Sequence, residues 1–290
     1  MKKISGWRAV HCLLLLSLAI CLPAHVVLGY EEVSVTSLAT LSGKVTLKGA
    51  VPATRIFHLV FSPNIAFCSR VSDGKGNRLL KEFRVASDGG FQDVVVAVVG
   101  VEKGKPFNFV PQIDIEDCRM LPFVTPVRNQ YPIALVNHDP VHHDIQGYTL
   151  KENYTFPMFN KPLVPAANSS AKIRMRDGHY IFRTQCGVHD FMQSWGIAVG
   201  NPYFAVTGKD GQFDISDIPA GEYDLIAWHP YLKIETQRIK VGEQGKITAN
   251  FEMDASFVEI PLYSTQKEYR LDTTLKIDQI VSPSVELQIE

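Results

Sequence analysis

The stretch "HYIFRTQCGVHDFMQSW", residues 179–195, changes character in its middle. Up to Cys186 it alternates, with Tyr180, Phe182, Thr184 and Cys186 on one face, the period of two that marks a strand. After Gly187 the alternation stops, and Cys186, His189 and Met192 recur at three-residue steps. A strand that hands a thiol, an imidazole and a thioether to one loop is spacing suited to a metal.

The surroundings repeat the strand signal. In "AKIRMR" (171–176), Ala171, Ile173 and Met175 face one way and Lys172, Arg174 and Arg176 the other. "GKVTLKG" (43–49), "RIFHLVF" (55–61) and "DVVVAVV" (93–99) read as strands between Gly- and Asp-rich turns, and helical periodicity is scarce. The chain is therefore expected to be all-β, built of sandwiches. With 290 residues, 46% hydrophobic and 20% charged, it can bury a sizeable core, and a net charge of −1 argues against a nucleic-acid partner.

Lys2, Lys3 and Arg8 precede an apolar run from Cys12 to Leu22, and Val27-x-Gly29 follows, the pattern of a cleaved secretory signal peptide over 1–29. Its removal takes three basic residues and leaves 26 Lys+Arg against 30 Asp+Glu, a net of −4. No later stretch is long enough to be a membrane span, so an exported protein, periplasmic or at the cell surface, is expected. Export implies an oxidising compartment, where Cys68, Cys118 and Cys186 form an odd set. One pair plus one thiol held by something else accounts for it.

Upstream, "VNHDPVHHDIQGY" (136–148) follows the strand-like "YPIALVN" and carries His138, His142 and His143. Two imidazoles, a thiolate and a weak axial thioether are the copper electron-transfer set, because soft sulfur suits Cu(I) while imidazole also accepts Cu(II).

"CGVHDFM" resembles the Cys-x-x-His-x-x-Met loop of cupredoxins, with the spacing of amicyanin, and "NHDPVHHD" resembles the segment that supplies their first histidine. The resemblance covers roughly 113–200 and implies a Greek-key β-sandwich holding one type 1 copper. His143 would be the first ligand (His142 the alternative), Cys186 the thiolate, His189 the second imidazole and Met192 the axial sulfur, with Asn137 and Asp144 behind them. Asp144 stands where the family has Asn and Asp190 where it commonly has Pro. An ionised carboxylate cannot donate a side-chain bond, although the Asp144 backbone N–H could still reach the Cys186 sulfur. Cys68 and Cys118 would then be the disulfide; a rival Cys118–Cys186 bridge would destroy the site.

"KDGQFDISDIPAGEYDLIAWHP" (209–230) resembles carboxypeptidase-regulatory-like or transthyretin-like β domains, and exported methylamine-utilisation-like proteins pair such a domain with a cupredoxin-like one. The expected organisation is a signal peptide (1–29), an N-terminal β region (30–112), the cupredoxin-like domain (113–200), the regulatory-like domain (201–255) and a β extension (256–290). Asp88-Gly89-Gly90-Phe91 echoes Asp210-Gly211-Gln212-Phe213, a shared turn. His58 and His229 read as structural, His179 as a turn residue and His138 as a solvated one.

The leading expectation is a single-electron carrier whose His189 edge meets a redox partner such as a cytochrome or copper enzyme; Phe191 and Trp195 either flank that edge as an electron doorway or belong to the ordinary core. The alternatives are a copper carrier, supported by His138 and His142, and a metal-free structural β protein. An enzyme is not expected: the chain has no His-x-His pair for an oxygen-reducing copper cluster, and one cysteine in the loop cannot make a dinuclear site.

Overall fold

The structure, a computed structural model, describes residues 29–258 except positions 37, 152, 153 and 177. The expected signal peptide and nearly all of the C-terminal extension lie outside the described residues. Within them the chain is all-β, with one four-residue α-helix and short 3-10 turns. No helix among the described residues is long and apolar enough to cross a membrane.

Two sandwiches form, and the chain does not fill them in the expected order. In the first, Val95–Val99 lies between Phe204–Val206 and Gly221–Trp228, and Glu235–Val241 completes the sheet. The other sheet centres on Leu38–Lys48, paired with Gln212–Ile218, Gln244–Thr248 and Phe251–Asp254. Residues 30–112 are therefore not a region of their own, and 201–255 is not a complete domain. The physical reason is that Ala39, Leu41, Val45 and Leu47 form a buried face that one strand cannot bury alone. The later strands supply the sheet that covers it.

The apolar run at 94–98 follows from the same arrangement. Val96 and Val98 enter the first core, whereas Val95 and Ala97 belong to separate clusters on the other face. A strand covered on both faces reads as a continuous run rather than an alternation. The two echoing turns also meet: Asp88 Oδ1 accepts the Gly90 N–H and Asp210 Oδ1 the Gln212 N–H, each at 3.1 Å. Val45 bridges them, accepting from Phe91 N–H (2.8 Å) and donating to the Gly211 carbonyl (2.9 Å). A Cβ on Gly90 would sit 2.0 Å from the Asp210 carbonyl oxygen, so this close approach requires glycine.

The second sandwich is inserted between the halves of the first. One sheet runs Asn168–Lys172, Pro132–Asn137, Gln112–Glu116, Arg119–Leu121; the other runs Tyr154–Leu163, His143–Lys151, Ile181–Cys186, Gln193–Ala198, Val124–Val127. Pro132–Asn137 alternates, placing Ile133, Leu135 and Asn137 inside. In 171–176 the alternation of burial persists to Arg176 although strand pairing stops at Lys172. Tyr180 leaves the face expected of it, at 64% exposed, because the strand begins only at Ile181.

A layer containing Val95, Val124, Leu150, Trp195, Trp228 and Tyr231 joins the two bodies. A second link is an excursion from the first sandwich. The hairpin of Arg55–His58 with Asn77–Leu80, and the turns Leu59–Phe61, Ile65–Cys68 and Ser69–Val71 between them, send Phe57, Leu59 and Cys68 into the core of the second. Cys68 is disulfide-bonded to Cys118, 50 residues on.

Candidate metal centre

The site lies where three strand ends meet. His143 opens His143–Lys151, Cys186 closes the neighbouring Ile181–Cys186, and the loop 187–192 leads into Gln193–Ala198. Backbone bonds close the loop: Met192 N–H donates to the His189 carbonyl (2.9 Å) and Cys186 N–H to the Met192 carbonyl (3.1 Å). The Gly187 N–H donates to the Asp144 carbonyl at 2.8 Å, which ties the segment carrying His143 to the one carrying Cys186 and His189 through the main chain. A Cβ on Gly187 would lie 2.5 Å from Gln146 Nε2 and 2.7 Å from Asp144 Oδ2, so a larger residue there would push these two side-chain ends aside.

His143 Nδ1 and His189 Nδ1 are 3.1 Å apart, and Cys186 Sγ is 3.8 Å from the first and 3.6 Å from the second. All three residues are fully buried. Three donors at these separations can share one ion at bond lengths of about 2.0 Å to nitrogen and about 2.3 Å to sulfur. The donor set of two imidazoles and one thiolate therefore fits a single soft or borderline metal. Met192 is buried in the same core as Cys186.

Burial pushes His143 below its ordinary value against the pull of Asp139, and pushes His189 down to about 4, with the charge of a protonated His143 acting in the same direction. The Asp139 carboxylate and the nearby Pro63 carbonyl only partly offset this at His189. Both rings are thus neutral and keep lone pairs available. Burial raises the Cys186 thiol, while N–H groups of Asp144, Val188 and His189 pull it down. Those N–H groups favour the thiolate once a metal displaces its proton. The Asp144 N–H stands 3.4 Å from Sγ.

Behind the candidate donors stands a residue that the sequence pattern does not mark. Asp139, fully enclosed, accepts His143 Nε2–H at 2.9 Å and so presents Nδ1 toward Cys186. The i, i+4 step in "DPVHH" was the available signal, but a loop holds it, not a helix. Asn137 shapes that loop: Nδ2 donates to the Val141 and Val164 carbonyls (3.0 and 2.9 Å), and Oδ1 accepts the Asp139 N–H (3.0 Å). The Asp144 carboxylate takes no part in this; its Oδ2 accepts from Gln146 Nε2 (2.8 Å). His142 is exposed and immediately precedes the strand that His143 opens. His138 is exposed beside Asp114 (2.8 Å).

The expected exposed edge is absent from the structure. His189 is 0% exposed, Phe191 3% and Trp195 1%. Trp195 meets Tyr231 edge-on at 5.5 Å in the layer between the sandwiches, and Phe191 meets Phe57 of the excursion at 5.2 Å. The excursion covers the face of the loop that was expected to be open.

No family model matches the chain, and no curated protein matches it. Among solved structures it is similar to a purple cupredoxin from Nitrosopumilus maritimus, at 16% identity and a TM-score of 0.26, over 31% of this chain and 99% of that one. An amicyanin from Paracoccus versutus is 15% identical over 36% of this chain and 97% of that one, with a TM-score of 0.25. The chain spans 25% of a copper-containing nitrite reductase from Thermus scotoductus SA-01, at 12% identity and a TM-score of 0.27 over 36% of this chain. What points to a metal is the donor geometry, not these likenesses.

Proposed function

We propose that this chain is an exported, mononuclear type 1 copper protein that carries single electrons between redox partners. The observation behind this reading is the buried triangle of His143 Nδ1, His189 Nδ1 and Cys186 Sγ. Copper held there would supply a one-electron couple between Cu(I) and Cu(II). Met192 is proposed as the weak fourth donor.

The chain's own residues do the rest. Asp139 fixes the His143 ring and its tautomer through Nε2. The Asp144 N–H, directed at Sγ, tempers the thiolate charge. The cross-strand bonds of Ile145 with Cys186 and the closed 187–192 loop hold the donors in one arrangement, so little rearranges between oxidation states. Burial keeps water from the donors. With the His189 edge covered, exposed His142, adjoining ligand His143, is the proposed point of electron entry.

A copper-carrier role is the second reading, favoured by the exposed His138 and His142 beside the buried set. The test is the visible absorption and EPR spectrum of the Cu(II)-loaded protein beside Cys186→Ser. An intense thiolate-to-copper band, lost in the variant, is expected. A wild-type protein that binds Cu(II) without that band would leave copper handling as the function, and one that binds none would remove both.

A further inference from the structure

A second set of soft donors converges on the same histidine. Cys68 Sγ, Cys118 Sγ and a ring nitrogen of His189 all lie within 4.8 Å of one another, and all three residues are buried. The two sulfurs arrive from different elements. Cys68 ends the helical turn Ile65–Cys68, and Cys118 sits in the tight turn after Gln112–Glu116, where Asp117 and Cys118 both take positive φ, 50° and 53°.

That turn is fastened to the centre already described. The carboxylate of Asp139 accepts the N–H of Asp117 at 2.6 Å and of Cys118 at 2.8 Å while also accepting His143 Nε2–H. The same folding that assembles the first triangle therefore sets Cys118 beside it. His189 contributes the second pointer. Its Nδ1 faces Cys186 and His143, and its Nε2 is buried with no hydrogen-bond partner. A fully buried imidazole nitrogen without a partner costs free energy unless something binds it.

We propose that Cys68 and Cys118 form a redox-gated second metal position: closed as the disulfide and, once reduced, a two-thiolate, one-imidazole set for Cu(I) that shares His189. A disulfide sulfur carries no thiolate charge, so the oxidised pair is not a ligand. A dithiol reductant opens it by attack on one sulfur. The S–S bond breaks, a mixed disulfide forms, and the reductant's second thiol displaces the other cysteine. Two electrons end on the cysteine sulfurs, the reductant's two protons pass to them, and the reductant leaves as its own disulfide. Cu(I) then displaces the protons, as thiolate ligation requires. The cover over Cys68 is thin: Pro63 to Ala66, Ser69 and Arg70 are exposed around it, so a local opening of one short turn brings the sulfurs to solvent.

The proposal shares His189 with the electron-carrier reading but does not need Cys186, so the test uses full-length Cys186→Ser. The disulfide is left intact or reduced with a phosphine, which takes oxygen from water, gives up two electrons and is then removed. Each form is titrated with Cu(I) anaerobically against a chromogenic Cu(I) chelator. Reduction is expected to tighten binding of one equivalent by at least about 100-fold, with two sulfur neighbours in the copper X-ray absorption spectrum. Adding Cys68→Ser and Cys118→Ser should return affinity to the oxidised level, and His189→Ala should weaken it at least about 10-fold. The near-UV circular dichroism should stay native throughout. No gain on reduction, a gain that survives loss of both cysteines, or a gain accompanied by loss of the near-UV signal would each overturn the proposal. The last would mean that unfolded thiols were chelating the ion.

Discussion

His229 and His189 are both completely buried imidazoles, one in the layer between the sandwiches and one at the strand ends of the inserted sandwich. Burial drives both below their ordinary value, His229 to about 3 and His189 to about 4. Their partners differ. His229 donates from Nε2 to the Glu82 carbonyl (3.1 Å), and its Nδ1 accepts the Tyr231 N–H (3.4 Å). Phe83 and Phe91 enclose the ring at 5.1 and 4.7 Å. Its hydrogen-bonding capacity is used up inside the fold. His189 instead faces another imidazole and a thiol across 3.1 and 3.6 Å, groups that can also bind a metal, with Nε2 making no hydrogen bond. Burial alone does not separate a core histidine from a ligand; how its nitrogens are satisfied does.

The strongest way to break this contrast is to remove each ring. His189→Ala should lower affinity for copper by several orders of magnitude and destabilise the metal-free protein less than His229→Ala does, because both leave a cavity but His189 gives up fewer ordinary hydrogen bonds. His229→Ala should cost on the order of 3–5 kcal/mol, leaving a cavity and an unpaired Glu82 carbonyl, while copper still binds. Metal titration and denaturant unfolding of both variants read the outcome. If His189→Ala destabilises as much as His229→Ala, the two histidines are of one kind.

Acid should sharpen the comparison next. The folded-state value of His229 lies below its unfolded value, so between about pH 6.5 and about 3 the unfolded chain binds a proton that the native chain refuses. Stability should therefore fall as pH drops through that window, by several kcal/mol in total, and level off below it. His229→Gln should flatten that part of the unfolding-against-pH curve; an unchanged curve would mean that other groups govern it. Loading with copper should offset only the share of the slope owed to His143 and His189, since ligation holds them unprotonated.

Two smaller effects separate the carboxylates behind the site. Asp139→Asn should weaken copper binding about 10- to 100-fold, because the amide is a poorer acceptor for His143 and for the N–H groups of Asp117 and Cys118. Asp144→Asn should change affinity by less than about threefold, since Asp144 reaches the sulfur through its backbone N–H, which the substitution keeps. Equal effects in a competition titration would show that Asp139 holds no special place.

Much of this was legible before folding. The strand at 181–186, the loop after it and the alternation from Ala171 to Arg176 follow from local periodicity, which the pleat enforces wherever one face is buried. The convergence of His143 with Cys186 and His189 could be anticipated because both segments end strands. Asp139 escaped notice because a carboxylate between a histidine and a proline reads as an ordinary turn residue; only the loop held by Asn137 turns it inward.

The sequence by itself determined the all-β class and the types of donor, since both are written in residues close together along the chain. Which strands share a sheet was decided only in three dimensions. Leu38–Lys48 carries an apolar face but no mark of its partners, and found them about 170 residues and more downstream. The covering of His189 was decided there as well. Residues 55–80 carry no local sign that they will fold over a loop more than 100 residues away, because that contact depends on the apolar surface the second sandwich leaves uncovered and on the bond between Cys68 and Cys118. Local chemistry chose the candidate donors; burial of long-range apolar surface chose what could reach them.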